Sequence, residues 1–137
     1  MESIGRLDPD SPGAAWDAYE ELGPTAQVVV REVARAMEFD GEEYDRRVDG
    51  DVVATARDAI FASLLSVRVG TDEEFAAWRE DFDGPVDVEG SEHVDHVVWH
   101  AFDGEAAAAT FQEEREAAVA TLRRQAFGKL YKPLFYG

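Results

Sequence analysis

Apolar residues recur at helical spacing over residues 11–82 of this chain and at strand spacing from Val86 onward, and that change of period sets the expected architecture. Ser11 followed by Pro12 has the form of an N-cap with proline at the first helical position, and Ala15, Ala18, Tyr19 and Leu22 then fall at i, i+3, i+4 and i+7. Gly23–Pro24 is expected to stop this helix, with Thr25 capping a second. In that second helix Ala26, Val29, Val30, Val33, Ala34 and Met37 keep an apolar stripe for three turns. A polar turn of helix over Tyr44 to Val48 lies between Asp40–Gly41 and Asp49–Gly50–Asp51. The next stretch, 52–69, is apolar on nearly all sides, through Val52, Val53, Ala56, Ala59, Ile60, Phe61, Leu64, Leu65 and Val67. It predicts a central helix wrapped by its neighbours. Thr71 and Glu74 have the spacing of a capping box, and Phe75, Trp78 and Phe82 give the helix after it a bulky inner face before Gly84–Pro85.

Val86 and Val88 alternate with acids, and 93–102 is rich in Val, with Trp99 and Phe102, so both stretches read as strand. Asp103–Gly104 is a favoured two-residue hairpin turn. The return over 105–111 should then be antiparallel strand, although Ala106 to Ala109 suit a helix better, and that choice stays open here. A last helix runs from about Gln112 to Leu130, with Val119, Leu122 and Ala126 in register, and ends in the aromatic tail Phe127, Leu130, Tyr131, Leu134, Phe135 and Tyr136. The expected fold class is therefore α+β. A mostly helical part, 11–82, packs around a buried helix over 52–67, and an antiparallel hairpin near 93–111 with its C-terminal helix completes the part over 86–137. With no linker, repeat or low-complexity tract, residues 1–137 are expected to form a single domain.

Charge adds a second constraint. The 137 residues hold 13 Lys plus Arg against 30 Asp plus Glu, a net charge of −17, and all but Lys129 and Lys132 of the basic residues are Arg. A surface this acidic repels itself in dilute buffer, whereas in molar salt the Debye length falls to about 3 Å. Salt-dependent folding and a salt-adapted, halophilic protein are the expectation. The charge is uneven: residues 1–105 hold 8 basic and 27 acidic side chains, residues 106–137 hold 5 and 3. At 45% hydrophobic the chain has ample material for a core. The absence of cysteine excludes disulfides and thiol catalysis, and no apolar run approaches the roughly 18 residues of a membrane span. The first ten residues lack the pattern of a signal peptide, so a cytoplasmic protein with no membrane partner is expected.

The motifs exclude more chemistry than they support. No two of the 11 glycines are closer than six positions, which rules out a G-x-G-x-x-G loop; Gly128–Lys129 is followed by Leu130, so the P-loop is missing too. None of Ser3, Ser11, Ser63, Ser66 and Ser91 stands in a G-x-S-x-G elbow. His93, His96 and His100 would share one face of a helix. On the strand read here, His93 and His96 point to opposite sides and His96 and His100 stand about 13 Å apart, so no metal site is expected. The Asp–Gly clusters at 40–43 and 49–51 do not follow the order of an EF-hand and read as helix caps. Basic and aromatic residues interleave only over Thr121–Lys132. There Arg123, Arg124, Lys129 and Lys132 are better employed in pairing with the acidic remainder of the fold than in binding nucleic acid.

The stretches Tyr19–Glu20–Glu21–Leu22–Gly23–Pro24, Val69–Gly70–Thr71 with Glu74, Phe75 and Trp78, Val98–Trp99–His100, and Thr121 through Gly128 resemble those of an uncharacterised family of small acidic haloarchaeal proteins. The resemblance covers nearly the whole chain. It implies a salt-rich cytoplasm and transfers no catalytic or binding residue.

Two functional readings follow. The first is a protein-interaction or self-associating module that uses the 127–136 tail or a free edge of the hairpin, with a homo-oligomer or a protein as partner. The second is a small-molecule-binding protein or enzyme with a pocket between hairpin and last helix. There Trp99 would supply a flat wall, His100 a proton-transfer group, and Arg123 and Arg124 a carboxylate or phosphate clamp. No catalytic residue, metal or cofactor is nominated.

Overall fold

In the computed structural model, which describes all of residues 1–137, a short strand β1 (Glu2–Ile4) precedes the helix α1 (Pro12–Glu21). Ser11 caps α1 as expected, its side chain accepting from the Ala14 N–H at 3.1 Å. The first helix stops before Gly23–Pro24 as expected, and α2 (Gly23–Ala36) starts there at once, so that Leu22 serves both helix ends. Proline is tolerated in a first helical turn because no backbone donor is needed there, so Thr25 has nothing to cap. The short α3 (Gly41–Arg47) starts at the side chain of Asp40, and α4 (Gly50–Leu64) at that of Asp49.

The continuous apolar run that predicted a buried helix over 52–67 holds two elements. Leu65 ends α4, and β2 (Val67–Thr71) takes up the rest as a strand. Within α4 only Phe61 and Ala62 are buried, so it is a one-sided helix and not one wrapped by its neighbours. The period misleads because a strand buried on both faces and a buried helix present the same unbroken apolar run. The capping box of α5 (Asp72–Glu80) forms as read: the Glu74 N–H donates to Thr71 Oγ1 at 3.1 Å, and the Thr71 N–H donates to Glu74 Oε1 at 2.9 Å.

Strand β3 (Val86–Glu89), then β4 (His96–Phe102) and β5 (Glu105–Phe111), complete one five-stranded sheet in the order β1-β2-β4-β5-β3. The fold is α+β. The turn between β4 and β5 has positive φ at both Asp103 and Gly104, the type I′ geometry that suits a two-residue hairpin. Residues 105–111 are thus strand, their helix-favouring alanines overridden by pairing with β4 on one side and, in parallel, with β3 on the other. Ala106 to Ala109 are all buried, and their small side chains let helices pack closely on both faces. β2 comes from the helical part of the sequence and β1 from the residues before it, and both extend the hairpin, so that the two parts share one sheet.

The two faces of this sheet are covered differently. Val67, Val69, Val98, Phe102, Ala107 and Ala109 pack with α1, α4 and α6 (Arg115–Ala126), while Val97, Trp99 and Ala108 pack with Phe75 of α5. Gly70 lies beneath the Trp99 ring, where a Cβ would crowd both the indole and Glu74. A π-helical turn, Phe127–Tyr131, follows α6 and is in turn followed by α7 (Lys132–Tyr136). The tail folds back onto its own domain. Phe61, fully buried, meets Tyr19, Phe127, Tyr131 and Phe135 edge-on, with ring centroids 5.0 to 5.9 Å apart. No helix is long and apolar enough to cross a membrane.

Because five aromatic rings meet at Phe61, its truncation leaves a void that neighbouring side chains cannot fill. Phe61→Ala is expected to cost about 3 to 5 kcal/mol of unfolding free energy, measured by denaturant titration at constant salt.

Candidate functional site

Strand alternation separates the four residues expected to line one pocket. Trp99 and His100 are neighbours on β4 and therefore point to opposite faces of the sheet. Trp99 is fully buried under α5, its ring centroid 5.1 Å from that of Phe75 and 5.8 Å from that of Trp78, and its indole Nε1 has no hydrogen-bond partner. His100 is buried on the other face, beneath the C-terminal turn. Arg123 does not face a pocket with either residue. Its Nε donates to the Leu65 carbonyl at 2.8 Å and its terminal nitrogen to the Ile4 carbonyl at 3.1 Å, which fastens β1 and the end of α4 to α6. Burial lowers its pKa from the ordinary guanidinium value. Arg124 is exposed, and the shallow hollow it shares with Arg123 is lined by Ser63, Ala120 and Phe127, not by Trp99 or His100. The expected pocket is therefore not assembled. Among the other histidines, His96 stacks on Phe111, its cross-strand neighbour, and His93 lies before the strand with positive φ.

His100 has a structural assignment. The Ser66 carbonyl 2.6 Å from Nδ1 can only accept, so Nδ1 carries the proton and Nε2 accepts from the Tyr131 hydroxyl, also at 2.6 Å. Burial holds the imidazole below its ordinary pKa, against the opposing effect of the Ser66 carbonyl, and burial likewise raises the Tyr131 phenol. The ring is a neutral link between the start of β2 and the tail. It offers no free nitrogen to a substrate.

A second network fastens the tail from its far end. The hydroxyls of Tyr19 and Tyr136 donate to the Asp58 carboxylate at 2.6 and 2.8 Å and lie 3.1 Å from each other. Desolvation, with Asp58 adding to it, raises both phenols above the ordinary tyrosine value. Neither edge of the hairpin is free either, since β4 pairs with β2 and β5 with β3. The two surfaces expected to drive association, the tail and the hairpin edge, are thus used inside the molecule.

The exposed apolar surface lies elsewhere, on α2 and α4. The stripe predicted along α2 splits into two columns: Ala26, Val30 and Ala34 are buried, whereas Val29, Val33 and Met37, at i, i+4 and i+8, stand in solvent at 40, 52 and 60% exposure. With Phe39, Val48 and Val52 this second column borders a groove of about 490 Å³. The six stripe positions, with Val28 and Ala36 among them, make eight apolar residues in twelve, more than one core-facing column requires, and that excess is the signal the sequence carried. Which column would remain uncovered depended on α4, the helix that packs most extensively against α2.

The model of a family of unknown function (DUF5809) matches residues 6–132. No curated protein and no solved structure matches the chain.

Since His100 is buried neutral, the unfolded chain takes up a proton that the folded chain excludes. Its contribution to stability is complete above about pH 6.5 and declines as the pH falls through that value toward the lowered pKa of the folded state, by at most about 1.4 kcal/mol per pH unit. Urea unfolding at a series of pH values should show this decline in the wild type and lose it in His100→Gln. Tyr131→Phe leaves the buried Nε2 without its donor and should cost about 1 to 3 kcal/mol.

Proposed function

We propose that this chain, which belongs to the DUF5809 family of unknown function, is a salt-adapted cytoplasmic protein that self-associates through the apolar face of α2 and α4. The observation that carries this reading is the solvent-exposed column Val29, Val33 and Met37 beside an apolar groove, on a chain that has ample acidic residues for its surface. Exposed apolar area of this kind is a usual mark of an interface, and each such side chain contributes about 1.5 to 3 kcal/mol when fully buried.

A second copy is the occupant the face fits. Ridge and groove lie side by side on one surface, so a twofold axis sets the ridge of each copy against the groove of the other. Charge on the rim supports the same partner. Arg35 pairs with Glu32, and Arg46 and Arg47 with Glu43, which offsets part of the acidic charge that would otherwise keep two copies of a −17 chain apart. The repulsion that remains is long-range and is screened in molar salt.

Light scattering in molar KCl should give twice the 15.2 kDa chain mass, falling toward the single-chain mass as salt is lowered. The double variant Val33→Ser, Met37→Ser changes only exposed side chains and should be monomeric in molar salt with an unchanged circular dichroism spectrum. A folded wild type that is monomeric in molar KCl, or a variant that dimerises equally well, overturns the reading.

A further inference from the structure

We propose that a second cleft, on the side of α3 facing Tyr44, binds the phosphate group of a small phosphomonoester between Arg31 and Arg57. The cleft has a volume of about 500 Å³, within the range of small-ligand sites, and is walled by α2, α3 and α4. Gln27 and Arg31 are one turn apart and reach it from the same face of α2. Arg57 enters from α4 and Tyr44 from α3.

Two arginines line this one cleft, and in a chain with 30 carboxylates neither has an acidic partner. Asp49, the one acidic residue on the cleft wall, caps α4, its Oδ1 accepting from the Val52 N–H at 3.0 Å. Arg57 is also held in place: its guanidinium carbon lies 3.9 Å from the centroid of the Tyr19 ring, and its buried Nε has no hydrogen-bond partner. A guanidinium positioned by an aromatic ring, with a second one lining the same cleft, matches the charge and, through its terminal nitrogens, the forked acceptors of a phosphate. The amide of Gln27 and the hydroxyl of Tyr44 add neutral donors. The Tyr44 ring with Val48 and Val53 offers a less polar wall to the body of the ligand.

The arginines of this site lie outside the apolar groove, with Val48 the one residue that borders both. Phenyl phosphate titrated calorimetrically into the full chain in molar KCl is expected to bind saturably. Phenol, which has the ring without the phosphate, is expected not to bind. Arg31→Gln, an exposed substitution that leaves the packing intact, should weaken binding at least tenfold, which is about 1.4 kcal/mol. Arg79→Gln on the distant α5 should not alter it. Arg57→Lys keeps the charge but not the fork and should also weaken binding. Absence of saturable binding to the folded wild type overturns the proposal, as does an Arg31→Gln protein that binds like the wild type or phenol that binds like its phosphate ester.

Discussion

Strand β4 is buried from both sides, and the rest of the molecule is arranged to meet that requirement. A strand covered on both faces needs a layer on each, and the two layers come from distant parts of the chain. α5 brings Phe75 onto Trp99 and Val97, while α4, α6 and the C-terminal turn bring Phe61, Leu122 and Tyr131 onto Val98, His100 and Phe102. The one polar side chain this forces inside, His100, is satisfied at both ring nitrogens, so its burial costs little and fixes the tail at the same time.

The basic residues of this acidic chain are used individually and not as a surface. Arg123 spends its donors on two backbone carbonyls, Lys129 reaches Asp87 and Glu89 to hold β3 against the C-terminal turn, and Arg115 pairs with Glu2 of β1. Arg115, Arg123 and Lys129, three of the five basic residues near the C-terminus, are therefore intramolecular bracing for the edge strands. Arg31 and Arg57 are among the basic residues with no carboxylate partner, and Arg57 lies over the Tyr19 ring.

Both unexplained surfaces lie around α3, a helix with no buried residue. The sheet and its aromatic core account for the apolar residues from Phe61 onward. They do not account for those on α2, where Ala26, Val30 and Ala34 are buried outside that core cluster and Val29, Val33 and Met37 are exposed. The α2–α3–α4 corner is thus where the fold has chemistry left over, an apolar groove on one side of α3 and a pair of unpartnered arginines on the other.

The sequence by itself determined the local elements that depend on residues a few positions apart: the Ser11 cap, the Thr71–Glu74 capping box, the Asp103–Gly104 turn and the amphipathic α2. It did not show β1, whose three residues are too few for a periodic signal, nor the boundary between α4 and β2, because burial on both faces removes the periodicity that separates helix from strand. Nor could spacing bring Trp99, His100, Arg123 and Arg124 together or keep them apart before the strand's alternation and the path of α6 were known. Tertiary structure alone decided that alanines 106–109 are strand, that the aromatic tail is core, and which column of α2 faces water. Those outcomes depend on which distant segment covers a residue, and coverage is a property of packing to which composition and period are blind.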